Sequence, residues 1–241
     1  MFRHKGKKRT LKHNIRIASV LSFVAGIVNV AGFLAVQRLT TNVTGHFAYL
    51  IDEVLLMRWG EGMIYFLYIF SFFIGSFASN VLVEFASRTN AAFSHRVPVV
   101  IEAFILAGVA LFGSLLIEQG PHLMACILLF SMGMQNSLVT TISNATVRTT
   151  HLTGLFTDLG IELAQLLFYV KPEQRAQLTA SIKLRLIIIS FFFLGGILGG
   201  ILYIPLGLYS LFVAAAALLA AVIYDTMRMQ LIVMERKIRN R

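Results

Sequence analysis

TTNVTGHF at residues 40–47 and TTHLTGLF at residues 149–156 are one polar turn written twice, each time just after a long apolar run. Thr and Asn side chains accept hydrogen bonds from the free N–H groups of a helix's first turn. The turn therefore predicts a break between a long helix and a short one, with its threonines as N-caps. Working outward, Ala18, Leu21, Phe23, Gly26 and Asn29 recur at constant offset as Ala125, Leu128, Phe130, Gly133 and Asn136. FFIGSFAS from Phe72 recurs as FFLGGILG from Phe192. Three matches in one order predict a duplicated unit of long helix, polar turn, short helix and two further long helices. The halves are residues 1–119 and 120–241.

The setting for this repeat is a bilayer. Of 241 residues, 57% are hydrophobic and 13% charged, with a mean hydropathy of +0.78, outside the range of soluble domains. Six segments have the length needed to cross: Ile17–Val36, Gly62–Phe85, Val97–Ile117, His122–Ser143, Leu184–Ile204 and Leu206–Met227. Two shorter segments, Thr44–Arg58 and Thr153–Tyr169, carry acids. If only the six cross, the basic N-terminus, the Ser87–Arg96 loop, the Lys171–Arg185 stretch and the basic tail all fall on the cytoplasmic side. The acidic Glu118–His122 loop then falls outside, as the positive-inside rule requires. Eight crossings would reverse Arg88, Arg96 and that loop. The expected fold is thus an all-α integral membrane protein with six transmembrane helices and two short helices, re-entrant or interfacial. Three crossings per unit make the second copy enter from the opposite side, a 3+3 inverted repeat forming one membrane domain.

The excess of 21 Lys and Arg over 11 Asp and Glu lies at the ends and between apolar runs, which suits anionic membrane lipids and not nucleic acid. A lone Cys126 excludes an internal disulfide and a Cys-based metal site. His46 and His151 are not at metal-ligand spacing, so no metal or cofactor is expected. Neither GxSxG, HExxH nor a Walker A loop occurs, so no enzyme chemistry is expected.

Candidate binding residues are the two turns, Thr40, Thr41, Asn42, Thr44 and Gly45 with Thr149, Thr150, His151, Thr153 and Gly154. They cap the short helices, or they also offer two positive helix ends to an anionic or carbonyl-bearing solute. Asn29 and Asn136 each follow a glycine by three residues, which suits close helix packing, and with Gln135 they could present amides to a ligand. Glu53, Asp158 and Glu162 are candidates for proton or ion coupling, or for plain solvation if the short helices lie at the interface. Gly195, Gly196, Gly199 and Gly200, with Gly75, Ser76 and Ser79, are spaced for close helix contact, as the seam between the halves or as a homodimer face.

The TG turn after the first span, GMQN in the fourth and the second TTxxTG together resemble the YoaK family of bacterial inner-membrane proteins, over nearly the whole chain. The resemblance implies six spans in a bacterial inner membrane and no established activity, while loop charge places both termini on the cytoplasmic side. Inverted repeats with interrupted helices recur in secondary transporters. The expected function is therefore a secondary transporter or permease for a small polar or anionic solute, with a membrane-embedded interaction or regulatory protein as the alternative.

Overall fold

The structure, a computed structural model, describes residues 10–90 and 93–239. The basic stretch before Thr10, part of the Ser87–Arg96 connection and the last two tail residues lie outside the described residues. The described residues form eight α-helices in order: α1 Leu11–Val36, α2 Thr44–Leu55, α3 Trp59–Asn90, α4 Arg96–Gln119, α5 Pro121–Ser143, α6 Leu152–Phe168, α7 Pro172–Leu206 and α8 Leu211–Arg239. A 3₁₀ turn, Gly207–Ser210, joins the last two.

Local chemistry sets the ends. Pro121 and Pro172 stand in the first turns of α5 and α7, where a missing N–H costs nothing. Asn144 closes α5 in the left-handed region at φ 54°, a conformation Asn tolerates. Gly207, at φ 55°, turns the chain between α7 and α8.

Among the described residues, five stretches are long and apolar enough to cross a membrane, the last being Pro172–Leu231, which contains α7 and most of α8. Phe66, Phe70, Phe73 and Phe77 form an exposed stripe along α3, a surface that water would not tolerate and lipid accepts. The protein is a multi-span helical membrane protein.

The core is formed where α1 packs along α7, α3 along α5, and α4 between α5 and α8. Glycines decide how closely. A Cβ on Gly26 would run into the Phe192 carbonyl oxygen, and one on Gly133 into that of Phe72. The same contact occurs in the other direction, Gly195 against the Phe23 carbonyl and Gly75 against that of Phe130. Gly195 and Gly199 therefore lie against α1, within one chain. Helix directions follow from the contacts. Gln135 reaches the Leu21 carbonyl while Gly32 lies beside Leu128, so α1 and α5 are antiparallel. Arg96 binds Asp225 while Gly113 meets Leu208, so α4 and α8 are antiparallel too.

The Lys171–Arg185 stretch is the N-cap and first turns of α7, started by Pro172 and held to α6 by Arg185. The Ser87–Arg96 loop is shorter than expected: α3 runs to Asn90, and Arg96 opens α4 and is buried against Asp225, both side chains 5% exposed.

Candidate functional site

Both polar turns fold back onto the helix that precedes them. Thr40 Oγ donates to the Val28 carbonyl at 3.3 Å, and Thr41 Oγ donates to Asn29 Oδ1 at 2.7 Å. Gly32 makes room, since a Cβ there would strike the Thr40 side chain. In the second turn Thr150 Oγ donates to Asn136 Oδ1 at 3.0 Å and Thr149 Oγ to the same oxygen at 3.4 Å. The asparagine that trails each glycine therefore anchors the turn that follows. Gln135, fully buried, donates from Nε2 to the Leu21 carbonyl at 3.1 Å and to Thr149 Oγ at 3.2 Å, tying the second turn to α1.

These bonds overturn the capping expectation. The N-caps of α2 and α6 are Val43 and His151, and neither makes a side-chain cap bond. The threonine hydroxyls are spent on α1 and α5 instead, because a buried hydroxyl takes the nearest acceptor. First-turn N–H groups of both short helices are left without side-chain caps.

The two turns meet. Asn29, Thr41, Asn42 and Thr44 line one side of a cavity of about 370 Å³, and Thr150, His151, Leu152 and Thr153 line another, with Phe192 between. The remaining sequence candidates stand behind it. Thr40, Thr149 and Gln135 are fully buried, Asn136 holds the second turn, and the two glycines make room for side chains. Without a Cβ, Gly45 accommodates Leu39 and Gly154 the His151 ring. His151 also lines a second, charged cavity of about 290 Å³ with Arg148, Asp158, Ser181 and Arg185.

The three acids are all matched by arginine. Glu53 pairs with Arg58 at 2.8 Å. Arg185 holds Asp158 at 2.9 Å and Glu162 at 2.8 Å, and Ser181 donates to Glu162 at 2.6 Å. Burial pushes the Glu162 carboxyl up, but the bonds from Arg185 and Ser181 and the Arg185 charge outweigh it and hold it below its ordinary range.

Sequence reasoning missed two features. One is a ring cluster in which Tyr68, fully buried, shares a 2.6 Å hydrogen bond with His122 Nδ1 and packs on His46 and Tyr65; nothing local ties these residues together. The other is Glu102, whose signal was present: a single acid inside the apolar run Val97–Ile117.

Apolar helices long enough to cross a bilayer, with two polar turns that share one cavity, define a multi-span helical membrane protein. The chain belongs to the DUF1275 family, described as a protein of unknown function, whose pattern it matches over residues 17–224. No curated protein and no solved structure matches it.

Proposed function

We propose that the protein is a secondary carrier or permease that moves a small polar or anionic solute without transforming it, holding it between the two TTxxTG turns. The observation that carries this reading is the single cavity lined by Thr41 and Thr44 from one turn and Thr150 and Thr153 from the other. Uncapped helix N-termini aimed at such a space offer N–H groups and a favourable dipole to a carboxylate, phosphate or amide carbonyl.

The architecture we propose is six crossings in a 3+3 inverted repeat, with α2 and α6 re-entrant. Helix directions support it. Six alternating crossings make α1 antiparallel to α5 and α4 antiparallel to α8, whereas eight would make both pairs parallel. The doubled glycine contacts, Gly26 with Phe192 and Gly133 with Phe72, favour the repeat. Loop charge favours cytoplasmic termini in a bacterial inner membrane, in keeping with a YoaK-like member of the family. Alternating access would follow from rocking one half against the other about the central cavity.

Cysteines placed singly at Thr44 and Thr153 in a Cys126→Ser background test the cavity without a known substrate. In open membrane fragments both should react with a small, membrane-impermeant thiol reagent, and a solute that occupies the cavity should slow both reactions together. If neither position reacts, the cavity is closed to water and the carrier reading falls.

A further inference from the structure

Glu102 belongs to the buried stripe of α4 with Val99, Ala103, Leu106 and Val109. It is fully buried, and neither carboxyl oxygen has a hydrogen-bond partner. Its surroundings explain why. The register set by Arg96–Asp225 and Gly113–Leu208 puts it level with Leu218 and Leu219 of α8, and the α4–α5 hairpin through Gly120 puts it level with Leu138; Leu218 and Leu138 are buried and Leu219 is half-buried against the core.

Among the described residues, the charged and titratable groups on the packed elements lie toward the ends of the helices or face outward: Glu118 and Tyr224 are exposed, and His95 and Arg228 stand at the Arg96–Asp225 end of α4 and α8. On α4 and α8, Arg96 and Asp225 bind each other, about 9 Å along the helix from Glu102 at 1.5 Å per residue. On α3, Glu84 and Arg88 are exposed, and Tyr68 is bonded to His122 of α5. Cys126 lies near the His122 end of α5, and Tyr209 is exposed on the 3₁₀ turn. A buried carboxylate with neither counter-charge nor donor is among the costliest groups a protein can hold, and the neutral acid is far cheaper.

We propose that Glu102 is a proton-binding site: its carboxyl carries a bound proton in this packed arrangement and gives it to water only when the α4, α5 and α8 packing opens. The reaction is a simple exchange, carboxylate plus proton to carboxylic acid, and needs no other reactant. That this proton serves as the coupling ion rests on the carrier reading above.

Infrared spectroscopy of the full-length protein in lipid bilayers tests the site directly. At neutral pH the wild type should show the carbonyl stretch of a protonated carboxyl, moved by deuterium exchange and missing in Glu102→Gln. A hydrophobic carbodiimide, which attacks protonated carboxyls in apolar surroundings, should leave an adduct on the wild-type peptide containing Glu102. Spectra in this region unchanged by the substitution would overturn the proposal. Should Glu102→Gln fail to fold, the wild-type adduct decides: its presence supports the site, its absence overturns it. A protonated Glu102 together with unreactive cysteines at 44 and 153 would sink the carrier reading and leave the proton site standing.

Discussion

Gly26, Gly75, Gly133 and Gly195 are each fitted to the backbone of a neighbouring helix. Gly75 faces the Phe130 carbonyl so closely that any Cβ must move α3 off α5. Gly60, in the first turn of the same helix, has nothing within 4 Å of an added Cβ. Gly75→Ala is therefore expected to destabilise the folded protein by about 1–3 kcal/mol, the usual cost of overpacking. Gly60→Ala should be neutral or up to ~1 kcal/mol stabilising through helix propensity. Thermal unfolding in detergent compares them, and equal midpoints would refute the close seam. Glu102 was open to notice at this same scale, since one acid in an apolar run is visible by inspection. That it lacks a partner was not, because the leucines around it come from α5 and α8.

Between elements, arginines act as clasps. Arg185 fastens α6 to α7 through Asp158 and Glu162. Because the folded Glu162 carboxyl titrates below its unfolded value of about 4.3, its contribution is complete above that value and is lost as pH falls through the folded one. Melting curves across acid pH should show the wild type losing stability there. Glu162→Gln should start lower at neutral pH and lack that part of the acid dependence; identical profiles would mean that the clasp contributes nothing. Arg96 and Asp225 hold α4 to α8 in a nearly dry setting. Arg96→Met removes one partner of a buried acid and should destabilise the fold by up to about 3–5 kcal/mol, while adding Asp225→Leu should return part of it. A double variant no more stable than the single would show that the pair is not coupled as the geometry requires.

At the scale of the molecule, topology is the decisive quantity. Single cysteines at Gly60, Thr89, Gly120 and Pro172 in the Cys126→Ser background can be labelled in intact cells with an impermeant thiol reagent. Six crossings place 60 and 120 outside and 89 and 172 inside. Labelling at 89 with the other three protected would mean eight crossings, with α2 and α6 spanning, and would contradict the antiparallel α1–α5 and α4–α8 pairs.

The sequence by itself determined the class of the protein, the eight helices and the two polar turns, because these depend on local things: apolar length, proline and glycine punctuation, and polar residues where apolar ones are the rule. It also paired Gly26 with Gly133 and Asn29 with Asn136 by simple offset. Only the tertiary structure decided what those residues do. Thr41 and Thr150 look like caps in sequence and are anchors in space, since their acceptors, Asn29 and Asn136, lie more than ten residues back on another helix. Lys171–Arg185 reads only as a basic stretch until Asp158 and Glu162 are set beside Arg185. The meeting of the two turns at one cavity needs helices from both halves to cross, and no local pattern specifies a crossing.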